Sequence, residues 1–104
     1  MSVFIGAVKG ASKISKKVAE VNALIQEANS LNAYVLDPSS TWESQYKFKP
    51  YKYSRGVLFE TYRMNSGTGW KNYSSRWSSS DAMDILNSVA RWHRSAIRKE
   101  KKYL

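Results

Sequence analysis

The spacing of apolar residues gives the chain helix-like ends and a strand-like middle. From 12 to 31, Ile14, Val18, Val21, Leu24, Ile25, Ala28 and Leu31 recur at intervals of three and four, the repeat of one helix face. Lys16, Glu20, Gln26, Glu27 and Ser30 fall on the other side, so this helix has one wet face. Ser12 suits its start and Asn32 its end. Between 81 and 99 the pattern returns. Ala82, Ile85, Leu86, Val89, His93, Ala96 and Ile97 make one arc, and Asp84, Arg91, Arg94, Ser95, Arg98 and Lys102 the opposite one. The serines from 78 to 80 and Asp81 supply the cap, and Asp81 and Asp84 suit the positive end of the helix dipole.

The middle alternates instead. Ala33 to Asp37 is a short strand closed by Pro38. From Trp42 to Tyr53 aromatics interleave with lysines, and Pro50 makes this stretch an edge strand or an extended loop. Val57 to Met64 has the strongest strand composition. Asn65-Ser66-Gly67-Thr68-Gly69 is a turn, and Trp70 to Trp77 returns as the hairpin partner. The sequence thus predicts an α+β fold: a small antiparallel sheet of three or four strands flanked by an N-terminal and a C-terminal amphipathic helix.

A length of 104 residues fits one domain spanning 1–104, with an apolar segment at 1–9 and a basic tail at 99–104. The order of elements resembles that of the double-stranded-RNA-binding domain. That family, however, opens its second helix with a phosphate-gripping lysine cluster, whereas this one opens with Asp81-Ala82-Met83-Asp84, so the family is not assigned.

Composition turns the reading toward partners. Seventeen Lys and Arg against eight Asp and Glu give a net charge of +9, and the charge is segregated. Residues 1–17 are purely basic, 18–43 purely acidic, and 44–77 hold seven bases against Glu60 alone. With no cysteine, disulfides and thiolate metal sites are excluded, and one histidine excludes any site needing two imidazoles. No metal or cofactor site is expected. The apolar start carries no basic residue ahead of it, so it does not read as a secretory signal, and no stretch is long enough to span a bilayer. The expected location is the cytoplasm or the interior of a virus particle, away from membranes.

Catalysis has little support. His93 sits in the apolar arc, and its nearest acid, Glu100, is seven residues away. A small metal-free nuclease would need only Arg, Lys, Tyr and His, which are present, but nothing in the sequence fixes their geometry. No enzyme activity is expected.

Two features favour binding to DNA or RNA through backbone phosphates and stacking. In Tyr46-Lys47-Phe48-Lys49-Pro50-Tyr51-Lys52-Tyr53-Ser54-Arg55, strand alternation sends Tyr46 and Phe48 to one side and Lys47 and Lys49 to the other. Lys47, Lys49, Lys52 and Arg55 are candidate phosphate contacts, with Tyr51 and Tyr53 as stacking faces. Arg91, Arg94, Arg98 and Lys102 make a second basic row on the last helix. The alternative is a protein-interaction adaptor, an inhibitor or a virus-particle assembly protein. It would dock an acidic protein, or a second copy of itself, through exposed aromatics and the basic surface. Four tryptophans cannot all be buried in so small a core, so at least one should be exposed.

Overall fold

The structure, a computed structural model, describes residues 9–38 and 45–103. Its elements run α1 (Lys9–Ser30), β1 (Val35–Leu36), β2 (Gln45–Phe48), β3 (Lys52–Ser54), β4 (Val57–Asn65), β5 (Gly69–Ser78) and α2 (Ser79–Lys101). This is the expected α+β class, with two helices and an antiparallel sheet. The sheet has five strands among the described residues where three or four were expected. The excess has a local cause: Pro50 divides one long strand into β2 and β3, which lie end to end along the same edge of β4.

β4 is therefore central, flanked by β5 on one side and by β2 and β3 on the other, with β1 beyond β2. The reading of the stretch from Trp42 to Tyr53 as an edge strand or an extended loop holds as an edge strand for β3 and fails for β2, which is paired on both sides. Both helices cover one face. Val18, Val21 and Ile25 from α1 meet Ala82, Leu86, Val89 and Ala90 from α2 over Val35, Phe48, Tyr51 and Leu58 of the sheet side. These are the apolar arcs read from the sequence, with Ala90 added.

At Pro50 the inward-facing parity changes. Leu58 and Glu60 point to the core in the first half of β4, but in the second half Arg63 does, paired with buried Phe48. Tyr51 and Phe48, three residues apart, are likewise both inward. β5 carries a bulge at the same level, opposite Thr61, with Glu60 facing Ser75 and Tyr62 facing Asn72. The break leaves peptide groups without ladder partners, and α1 supplies them. The Asn22 side chain accepts from Tyr51 N at 2.8 Å and donates to Tyr51 O at 2.9 Å, while Asn29 donates to Phe48 O at 2.9 Å. Seven residues apart, the two asparagines share a helix face and clip the broken strand.

The turns follow from backbone conformation. α1 ends with Asn32 in the left-handed region at φ 55°, with Ala33 N bonded to Ala28 O and Asn32 N to Asn29 O. β3 and β4 join through Arg55 and Gly56, both at positive φ, the two-residue turn whose twist matches the strands. Ser79 donates to Gly56 O at 2.8 Å and so pins this turn to the start of α2. The hairpin tip is held by Asn65, whose side-chain oxygen accepts from Gly67 N at 2.9 Å. The cap of α2 is at Ser78, but its hydroxyl meets Ser80 and Asp81 and no helix N–H.

Candidate nucleic-acid interface

No described element packs against the second face of the sheet. Lys47, Lys49 and Lys52 of the broken strand all point there, because the parity change at Pro50 turns Tyr51 and Tyr53 inward and leaves the lysines outside. The face is built in cross-strand rows. Lys52, Phe59 and Arg76 make one row, with the Arg76 guanidinium 5.8 Å from the Phe59 ring centroid. Lys49 leans over Tyr62 at 5.0 Å and over Trp70 at 5.2 Å. Lys47 lies 4.7 Å over Tyr34 and hydrogen-bonds the Asn32 side chain. Trp70 is 44% exposed and Tyr62 41%.

No carboxylate stands on this face among the described residues. The seven described acids lie elsewhere. Asp37 and Glu60 are buried, Glu20 pairs with Lys17 at 2.7 Å and Arg94 at 2.6 Å, and Glu27 pairs with Lys101 at 2.8 Å. Asp81, Asp84 and Glu100 lie on α2. The result is a row of cations set among exposed rings, with little negative charge to compete.

The second basic surface is a cleft of about 580 Å³ between α2 and β1. Arg91, Arg94, Arg98 and Lys99 line its helix side, and Tyr34 and Trp92 line its walls. Tyr34 belongs to both surfaces, since it also carries Lys47. A continuous basic and aromatic path thus runs from the open sheet face around β1 to the cleft.

Several candidate residues fall differently from the sequence reading. Tyr51 is only 4% exposed, packed against Phe48 and Trp77, so its ring is not a stacking platform. Tyr53 is half-buried against the core, with its hydroxyl 3.1 Å from Ser79 Oγ. Both were misjudged for the same reason: the break at Pro50 sends them inward. Tyr62 and Trp70, which the sequence reading did not single out as stacking faces, are exposed in their place. Arg55 is exposed at the β3–β4 turn, away from the rows. Lys102 lies at the C-cap of α2 and does not line the cleft, where Lys99 takes that place. Residues 99–101 of the 99–104 tail are helical. Trp42 and residues 1–8 lie outside the described residues. Trp77 and Trp92 are half-buried against the core, so Trp70 fulfils the expectation of an exposed tryptophan.

His93 is buried, its Nδ1 2.8 Å from Val89 O and its ring edge-on to Phe48. Burial holds its pKa below the usual 6.5, against the opposing effect of the Val89 bond. A neutral imidazole with Nδ1–H donating to the carbonyl fits this setting.

The ion cluster in the core was not foreseen. Arg63 donates from Nε to Glu60 at 2.7 Å, from Nη2 to the other Glu60 oxygen at 3.2 Å, and from Nη1 to Asp37 at 3.2 Å. Its guanidinium also covers Phe48 and Tyr46. Burial pushes the Glu60 carboxyl above its usual 4.5. Arg63 and a hydrogen bond from Tyr51 act the other way, and Asp37 adds to the rise. Nothing in one-dimensional spacing brings residues 37, 60 and 63 together; only the sheet register does. Among the described residues no group of three His, Cys, Asp or Glu could hold a metal ion, and no helix is long and apolar enough to cross a membrane.

Comparison of the chain with known protein families, with curated proteins and with solved structures finds no match.

Proposed function

We propose that the protein is a non-enzymatic module that binds nucleic acid, with a single strand lying across the open face of the sheet. The observation that carries this is the face itself: Lys47, Lys49, Lys52 and Arg76 set among Tyr62, Phe59 and Trp70, with no described carboxylate. Phosphates meet the cations, and unpaired bases stack on the exposed rings, each stack worth about 1–3 kcal/mol. A duplex hides its base faces and would use only the cations, so a single strand gains more from this surface. Recognition runs through backbone and stacking, with little reading of base edges.

A protein partner is the second reading, favoured by Leu36, which is 47% exposed beside Tyr34 at the sheet edge. One experiment separates the two. Labelled single-stranded and duplex oligonucleotides are titrated against wild type, Lys49→Glu with Lys52→Glu, and Lys13→Glu with Lys16→Glu. Both pairs change net charge equally, but Lys13 and Lys16 are exposed on α1, away from the sheet. The expected result is single-strand binding lost by about tenfold or more in the sheet-face pair and much less in the α1 pair. Equal losses in both pairs would reduce the binding to net charge, and no binding at low salt would favour a protein partner.

A further inference from the structure

We infer that the cleft between α2 and β1 is a binding site for one nucleoside monophosphate unit, with its base against Tyr34 and Trp92 and its phosphate on the arginine row. This deepens the reading above, because the path through Tyr34 leads from the sheet face into the cleft. The site can nevertheless be tested without a strand.

The helix repeat builds the anion side. Arg91, Arg94 and Arg98 follow at three and four residues, so their guanidinium groups lie along one side of α2, and Lys99 adds a fourth cation at the rim. Arg94 shares its charge with Glu20 at 2.6 Å, and Arg91 Nη2 reaches Ser88 Oγ at 3.3 Å. No ion pair to a described acid holds Arg98 or Lys99. Planar guanidinium forks match phosphate oxygens in pairs, which a scatter of lysines does not do. The opposite wall is apolar and aromatic, and it includes Leu36 and Pro38 beside Tyr34. No described carboxylate lines the cleft. A ligand that satisfies both halves must join a flat ring to an anion at short range, and at about 580 Å³ the cleft is of the size that small-molecule sites have.

The test is two-dimensional amide NMR and calorimetry of the whole chain with adenosine monophosphate, adenosine and inorganic phosphate. Adenosine monophosphate is expected to bind at about 1 mM or tighter. It should shift the amides of residues 34 and 91–99, and it should bind better than either of its halves. Arg91→Glu with Arg98→Glu should weaken it by about tenfold, and Tyr34→Ala should reduce it to the level of inorganic phosphate. Both arginines are exposed, so the fold survives, and unchanged far-ultraviolet dichroism verifies this. Lys49→Glu with Lys52→Glu should leave monophosphate binding intact, whatever it does to a strand. If a saturating oligonucleotide displaces the monophosphate, a strand supplies the unit. If it does not, the free nucleotide does, and the site stands in either case. Phosphate binding as tightly as the monophosphate would overturn the inference, as would shifts elsewhere or no binding. If the monophosphate binds and no strand does, the cleft stands and the sheet-face reading falls.

Discussion

Replacing Arg63 by methionine removes a cation that holds two buried carboxylates. The side chains of Glu60 and Asp37 are 0% and 4% exposed, and Arg63 itself is 17% exposed, so water cannot take over its role. Methionine keeps the apolar length of the side chain over Phe48 and Tyr46, which separates the loss of charge from the loss of packing. Breaking such a buried pair from one side costs about 3–5 kcal/mol, because the remaining charge is left uncompensated. A domain of this size has about 5–15 kcal/mol in all, so the variant should be close to unfolding at neutral pH. The cost should also depend on pH in a defined direction. Glu60 already titrates above 4.5 in the folded protein, and losing Arg63, which lowers it, moves it higher still. A raised folded value stabilises when the group is protonated, and that contribution fades as pH rises through the folded value. The penalty of Arg63→Met should therefore be larger at pH 7 than at pH 5, because a carboxyl with a raised pKa takes up its proton earlier as pH falls. Urea unfolding followed by tryptophan fluorescence at the two pH values measures both quantities. A loss under about 1 kcal/mol at pH 7, or one identical at pH 5, would refute the reasoning.

Other expectations follow from the same geometry. Asn22→Leu removes both bonds to the Tyr51 peptide and should cost about 2–4 kcal/mol in urea unfolding, since two part-buried peptide hydrogen bonds are lost together. At the β3–β4 turn, Gly56 has φ +74° and an added Cβ would sit 3.3 Å from Ser79 Oγ. Gly56→Ala should cost about 1–2 kcal/mol, and Arg55→Asn should gain about 0.5 kcal/mol, both read from thermal midpoints. His93 has a depressed folded pKa, so its contribution is present above 6.5 and is lost as pH falls from there. His93→Leu should remove that part of the acid sensitivity, and the gap between wild type and variant should narrow from pH 7 to pH 5.

Much of the fold is legible because the helix arcs repeat cleanly. Val18, Val21, Ile25 and Ala28 on α1, and Ala82, Leu86, Val89, His93 and Ile97 on α2, are all buried as their spacing requires. Alternation also put Phe48 on one side of the strand and Lys47 and Lys49 on the other. It failed at Tyr51 and Tyr53, where a single proline reset the parity. Alternation can be followed only as far as the ladder is regular, and Pro50 and the β5 bulge break it at one level. The Arg55-Gly56 turn escaped notice because arginine rarely takes positive φ, so the usual turn signal is only half present. Asn22 and Asn29 read as ordinary polar positions, since their partners are peptide groups that exist only because the strand is broken. Tyr62 and Trp70 come together with Lys49 through strand pairing alone. The basic row on α2 was visible by periodicity, but its aromatic wall, Tyr34, comes from just before β1, 57 residues from Arg91.

If a single strand lies across the open face of the sheet as proposed, the cations of that face neutralise its phosphates. The salt dependence of binding tests this most directly, because each phosphate neutralised contributes about −0.7 to the slope of log K against log salt for a single strand. With Lys47, Lys49, Lys52 and Arg76 engaged, the wild-type slope should be about −3, and Lys49→Gln with Lys52→Gln should reduce its magnitude by about 1.4. A flat salt response, or a slope left unchanged by that double substitution, would contradict the assignment of this face.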